Sequence, residues 1–260
     1  MPLKESFCIV VYLIIAFASI AKADDIKNEF QIHRIAHAGG ALGKMTYTNS
    51  YQALDASIAR GFRYFEIDFS FTSDNRLVCL HDWGVNFNRT FGFETPNPLP
   101  LEEFERLSSK NEKFTNCTLE GLAEWMRKNP SASIVTDVKK YNLKALQRML
   151  ELLPDADRRV IPQIYDPLNF DAVSKMGFRQ IIWTLYRYRG TSYKVIQWVS
   201  RWDTAVAVTM PKFLAETALP KALAERGVPT YVHTINNAED KDRFINLKGI
   251  TEIYTDFLIP

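Results

Sequence analysis

The stretch FEIDFSFTSDNRLVCLHDW, residues 65–83, decides how the rest of the chain is read. Glu66 and Asp68 stand two apart in a run of aromatic and β-branched residues, so on an extended strand both project from one face. The segment Thr72 to Arg76 is too short to hold the crossover helix that a parallel neighbour needs, so 77–81 (LVCLH) must return antiparallel. A hairpin turning at Ser73-Asp74-Asn75 follows, and its returning arm delivers His81 to the end of the sheet where the two carboxylates stand.

Outward from this hairpin, short β-rich runs alternate with helical patterns. Strands are predicted at 34–37, 62–68, 133–138, 159–164, 180–184, 204–209, 228–234 and 252–256. Between them, SYQALDASIAR, LEGLAEWMRK, LKALQRMLELL, KVIQWVSRW and FLAETALPKALAERG carry apolar residues at three and four spacing. Eight strands alternating with helices in 260 residues predict an α/β fold, the (β/α)8 TIM barrel, with a β-hairpin after strand two. An open doubly wound sheet is the alternative. Residues 83–118 form the one long excursion, expected over the barrel mouth. No G-x-G-x-x-G or P-loop fingerprint supports a dinucleotide or nucleoside triphosphate site.

Lys4, the apolar run FCIVVYLIIAFASI and Ala21-Lys22-Ala23 read as a signal peptide over residues 1–23, leaving one barrel domain over 24–260. The expectation is a secreted or periplasmic protein with no stable membrane span after cleavage. Cys8 leaves with the leader. Cys79 and Cys117 remain, either as a disulfide or as two buried thiols. Lys plus Arg (32) nearly balances Asp plus Glu (30), so charge gives no argument for a nucleic-acid partner.

On a barrel, the strand ends bring together His37, Glu66, Asp68, His81, Asp137 and Lys139. Taken singly, each has a plain structural reading: a strand-end histidine is commonly a hydrogen-bonded residue, and Asp137 with Lys139 a solvated ion pair. Convergence at one end of one sheet points instead to chemistry. Glu66, Asp68 and Asp137 offer three hard oxygen donors without the sulfur or paired imidazole that favours zinc, which suits Ca2+ or Mg2+. His37 and His81 titrate near neutral pH and can serve as acid and base. Lys139 adds a fixed positive charge for non-bridging oxygens. The set fits cleavage of a phosphodiester, with a small-molecule diester or a phospholipid head group as partner.

These residues also carry a resemblance. RIAHAGG, TNSYQAL, FEIDFSFTSDNRLVCLHD, YVHTINN and EIYTDF, in that order, resemble the motifs of the glycerophosphodiester phosphodiesterases, within the wider group that includes phosphatidylinositol-specific phospholipase C. The resemblance implies a (β/α)8 barrel that releases an alcohol from a glycerophosphodiester and leaves glycerol phosphate, through a cyclic phosphate made by a neighbouring hydroxyl. It makes His37 and His81 the catalytic pair, Glu66, Asp68 and Asp137 the metal ligands, and Lys139 a phosphate-binding residue.

The chain departs from that pattern in places. Ala38 stands where the family usually has Arg after its first histidine, which removes a planar phosphate clamp and leaves Lys44 or Arg187 as loop cations available to replace it. Thr48 precedes Asn49 where Glu is common, Asp137 replaces the usual Glu, and His233 stands in place of a late Trp. His233 reads as finishing a hydrogen-bond network or as touching substrate, and Trp183 as packing. Asp137 with Lys139 two residues on also looks like the sphingomyelinase D branch. Three readings follow: an exported metal-dependent glycerophosphodiesterase, a phospholipase D-like enzyme acting on lysophospholipid or sphingolipid head groups, and a non-catalytic binding barrel. A wide apolar mouth built from 83–118 would favour the lipid, and a polar one the deacylated diester.

Overall fold

A computed structural model describes Phe30 and residues 32–260. The leader read at 1–23, with Cys8, lies outside these residues. Eight parallel strands close into a barrel: β1 (Ile35–Ala36), β2 (Tyr64–Phe71), β4 (Ser133–Val138), β5 (Val160–Ile164), β6 (Gln180–Thr184), β7 (Ala205–Pro211), β8 (Thr230–His233) and β9 (Glu252–Thr255). Closure comes from β1, which pairs with β9 on one side and β2 on the other. The doubly wound alternative is excluded, since an open sheet has two unpaired edges.

The ninth strand, β3 (Leu77–Cys79), runs antiparallel to β2, with Phe69 opposite Cys79 and Phe71 opposite Leu77. The turn is made by Thr72, whose hydroxyl donates to Asp74 Oδ1 at 2.6 Å, and by Asn75 in the left-handed region at φ +61°. β2 therefore runs three residues past its expected end, because the hairpin partners that extension.

Period-two alternation separates two apolar layers inside and outside the barrel. Ile35, Val135, Ile161, Ile182, Ala207, Tyr231 and Tyr254 form one buried cluster, closed from below by Phe30 and Ile32. The alternate residues, among them Ala36, Phe65, Ile67, Ile134, Val138, Val208 and Ile253, belong to the larger cluster shared with the helices. Trp183 lies in that outer cluster against Tyr188 and Trp202, a packing position. One step further along each strand on the inner face, the residues become polar: His37, Glu66, Asp68, Asp137, Gln163, Thr184, Thr209, His233 and Asp256. That change of character at the strand ends makes the site.

The expected helices are found at α1 (Tyr51–Ala59), α4 (Leu119–Lys128) and α5 (Asn142–Leu152), and at Ser192–Val199. Ser50 caps α1 by accepting from Ala53 N, and Thr118 caps α4 by accepting from Gly121 N. The helix expected across 213–227 is two pieces, Lys212–Ala215 and Leu219–Ala224. Pro220 opens the second piece, where its missing N–H is tolerated. Among the described residues, no helix is long and apolar enough to cross a membrane.

The excursion folds into α2 (Val85–Phe91) and α3 (Leu101–Ser109), which bury Phe87 and Phe104 against Val78 and Leu80 of the hairpin arm. Its far end is fastened by a disulfide between Cys79 and Cys117, which settles the choice between a bond and two thiols. The bond closes a loop of sequence separation 38. Loop-closure entropy then gives roughly 4 kcal/mol. Replacing both cysteines by Ser is expected to lower unfolding free energy by about 2–5 kcal/mol in denaturant titrations. Equal stability of variant and wild type would show that the Phe87 cluster alone holds the excursion.

Candidate active site

β1 is only two residues long, and β3 pairs with β2 only from Phe69 onward, so the middle of β2 faces a gap on that side. Asn49 fills the gap. Its Oδ1 accepts from Asp68 N at 3.0 Å and its Nδ2 donates to Asp68 Oδ2 at 3.0 Å. Asn49 N donates to Ala38 O and its carbonyl accepts from Cys117 N, so one residue joins the turn after β1, β2 and the disulfide loop. Its φ of +46° suits Asn better than most residues.

With β2 so held, Glu66 and Asp68 face inward, and Asp137 lies opposite Asp68 in the register with β4. One oxygen from each carboxylate lies within 4.8 Å of the others. Glu66 and Asp68 are each 2% exposed and Asp137 9%. Lys139 Nζ donates to Asp68 Oδ1 at 2.7 Å and Asp137 Oδ2 at 2.9 Å. Tyr165 donates to Asp137 Oδ1 at 2.7 Å, and Ala38 N to Glu66 Oε2 at 2.7 Å.

The charges do not balance. Burial pulls the Lys139 ammonium toward neutrality, but Asp68 and Asp137 outweigh it and hold the lysine charged. Burial likewise pushes Asp68 up, but Lys139, His81 and Asn49 overcome it and keep Asp68 ionised. Glu66 has no such partner. Burial and the Asp68 charge push its carboxyl well up, against the weaker pull of His37 and the Ala38 amide. Three oxygen-only ligands, close together and short of positive charge, fit a hard divalent cation.

The two histidines are braced alike. His37, 5% exposed, engages Asp256 Oδ1 through Nδ1 at 2.9 Å. Burial alone would lower its pKa, but Asp256, Glu66 and Asp68 together push it up to about 9. His81 engages Asp82 Oδ2 through Nδ1 at 2.6 Å, and its Nε2 stands 4.0 Å from Asp68 Oδ1. Burial pushes the Asp82 carboxyl up, but hydrogen bonds from Asn86, His81 and Gly84 N hold it at about 2. In each histidine the carboxylate occupies Nδ1 and leaves Nε2 to exchange a proton. Tyr47 stands between them, with ring centroids 4.5 Å from His37 and 5.8 Å from His81.

All six expected residues meet at this end of the barrel. Asp256, Asp82, Asn49, Tyr165 and Tyr47 are additions to them. Asp256 shares an inner face with Tyr254 and Asp82 follows His81 directly, so both carried a readable sign; Asn49, Tyr165 and Tyr47 act through loop geometry. His233 completes no network: its Nε2 has no hydrogen-bond partner among the described residues. Its ring packs 4.3 Å from Tyr186 and 4.7 Å from Tyr254. Of the two loop cations, Arg187 is at this mouth, donating to Lys139 O at 3.1 Å with its guanidinium 4.7 Å over Tyr165. Lys44 lines a separate cleft beyond Tyr47.

Residues 39–259 match the glycerophosphoryl diester phosphodiesterase family. The chain belongs to that family. Glycerophosphoryl diester phosphodiesterases are phosphoric diester hydrolases, so the barrel is an enzyme and the non-catalytic reading falls away. The fold is shared with a glycerophosphodiester phosphodiesterase from Thermotoga maritima, at 18% identity and TM-score 0.68, over 88% of this chain and 96% of that one. One from Agrobacterium tumefaciens str. C58 aligns at 16% identity and TM-score 0.65, over 87% of this chain and 97% of that one. An Oleispira antarctica phosphodiesterase, solved with its product sn-glycerol-3-phosphate, aligns at 14% identity and TM-score 0.69, over 89% of this chain and 95% of that one. No curated protein matches the chain.

Ligand linkage gives the acidic cluster a test that is independent of turnover. Calcium or magnesium at a hundredfold excess over its dissociation constant is expected to stabilise the fold by about 2.7 kcal/mol, raising the melting midpoint by roughly 5–10 °C. Asp137→Asn should lose most of that rise. Equal midpoints with and without either ion would remove the cation from this site.

Proposed function

We propose that the chain hydrolyses glycerophosphodiesters to an alcohol and glycerol phosphate, with His37 and His81 as acid and base and Ca2+ or Mg2+ held by Glu66, Asp68 and Asp137. The observation that carries this reading is the pair of carboxylate-braced imidazoles on the rim of three crowded carboxylates. A divalent cation bound there supplies positive charge to the phosphoryl oxygens.

The chain's own residues do the rest. In the first step one imidazole Nε2 takes the proton of the attacking hydroxyl while the other gives a proton to the departing alkoxide oxygen. In the second, water opens the cyclic phosphate and the two imidazoles exchange roles, which returns each to its starting state. Asp256 and Asp82 fix both rings by their Nδ1 bonds and favour the imidazolium that forms on each in turn. Lys139, held charged, and Arg187 at the rim offer positive charge to the non-bridging oxygens.

The walls near the mouth favour a deacylated diester over a lipid. The excursion turns Phe87 and Phe104 inward onto the hairpin and offers Arg89, Thr90, Asn111 and Lys113, with Phe114, to the cleft beside the mouth. Such a wall gives an acyl chain little apolar surface. Export with cleavage after Ala23 belongs to the same proposal, supported by the leader composition and by a disulfide suited to an oxidising compartment.

The decisive measurement is turnover of a panel of glycerophosphodiesters and lysophospholipids, with and without chelator. His37→Ala and His81→Ala should each lower kcat by about 10²–10⁴-fold while leaving circular dichroism unchanged, and chelation should abolish activity reversibly. Full activity in both variants overturns the acid–base assignment. Preference for the lysophospholipids transfers the enzyme to the phospholipase D-like reading.

A further inference from the structure

Tyr47 has two sides. One edge meets His37 and His81; the other helps to wall a cleft of about 380 Å³ that this reaction leaves unused. Lys44, Arg89 and Lys113 line that cleft with Thr90 and Asn111, and no carboxylate does. Among the described residues none of the three cations makes an ion pair. Glu112, next to Lys113 in the chain, lines the adjoining depression with Lys110 instead. Arg89 is fastened rather than free, donating to Thr46 O at 3.2 Å with its guanidinium 5.4 Å over the Tyr47 ring. It therefore ties the position of Tyr47 to the contents of the cleft.

Three like charges around one concavity raise the local potential and favour an anion, and low-dielectric walls focus that field. The polar groups present, a guanidinium, two ammoniums, an amide and the hydroxyl-bearing residues Thr46, Tyr47, Thr48 and Thr90, include donors suited to phosphate oxygens. The volume is larger than a bare ion requires and falls at the small end of ligand pockets, so it suits a phosphate together with part of the alcohol bearing it. A molecule straddling Tyr47 would place one phosphorus before the histidines and another among the three cations.

We propose that this cleft binds a second phosphate group of the substrate, so that the favoured diesters are those whose alcohol carries a further phosphate. The inference rests on the function proposed above and narrows its substrate class.

The test compares kcat/KM for 1,3-bis(glycerophospho)glycerol and for glycerophosphoglycerol, which lacks the second phosphate. Wild-type enzyme at low salt should prefer the first by about tenfold, beyond the factor of about two from its two equivalent ends, and high salt should erase most of that preference. Lys44 and Lys113 are exposed, so their substitution spares the core, and the double variant Lys44→Ala/Lys113→Ala should bring the corrected ratio close to unity. A ratio near unity in the wild type, or one unchanged in the double variant, overturns the inference while leaving the proposed reaction standing. If neither diester is turned over, the proposed reaction fails, and calorimetric titration of 1,3-bis(glycerophospho)glycerol decides the cleft separately. Binding lost in the double variant supports it, and absent or equal binding overturns it. Variant-sensitive binding to anionic vesicles with an unchanged substrate ratio would assign the cations to a membrane surface and overturn it too.

Discussion

Three carboxylates buried within 4.8 Å of one another set the terms for everything around them. Taking each from water costs several kcal/mol, and their mutual repulsion adds to that. The surrounding residues read as responses to this load. Lys139 bridges two of the three, Tyr165 and Asn49 donate to two, and the Ala38 amide donates to the third. Four donors from three strand ends and a loop are aimed at one point, so the barrel mouth is braced where chemistry needs it. Glu66 is left with the weakest compensation, and burial and the Asp68 charge push its carboxyl up; three oxygen donors so crowded suit a divalent cation.

The same load explains the hairpin. A parallel barrel strand ordinarily ends where its inner residues turn polar, but β2 continues as an antiparallel arm. Continuing the strand brings His81 back to the rim from which Asp68 points, while the Phe87 cluster and the Cys79–Cys117 bond hold that arm from outside. Asn49 then closes the gap between β1 and β3, so that the loop carrying Tyr47, the disulfide segment and β2 with its two carboxylates share one hydrogen-bonded joint. The two histidines come from opposite sides of that joint. Their separation is therefore governed by main-chain pairing rather than by side-chain packing.

Much of this is legible in the chain itself, and for a physical reason. Period-two alternation in FEID and in SIVTDV puts carboxylates on one face, and a turn of five residues has only one way to return. The barrel follows from eight such strands. What alternation does not encode is the contribution of loops. Asn49 acts through a left-handed backbone, Tyr47 through the path of a segment with no periodicity, and Tyr165 through a position just past β5. The helix expected at 213–227 divides because apolar spacing persists across a break that Pro220 imposes. The disulfide likewise depends on a long-range approach, Cα to Cα 5.0 Å, that spacing alone cannot express.

Ala38 shows how a departure from the family pattern can be absorbed. Its φ of +48° turns its amide toward Glu66, and Gly39 and Gly40 follow at +83° and +92°. A side chain on Gly40 would come within 2.2 Å of Ser57 Oγ, so this turn is pressed against α1 and presents main chain rather than side chains to the site. It supplies a neutral N–H where an arginine would supply a charge. Positive charge at the mouth comes instead from the far side, from Lys139 on the end of β4 and Arg187 beyond β6. The titration pattern follows that distribution: Lys139, His81 and Asn49 outweigh burial and hold Asp68 ionised, whereas burial and the Asp68 charge push Glu66 up against the weaker pull of His37 and the Ala38 amide.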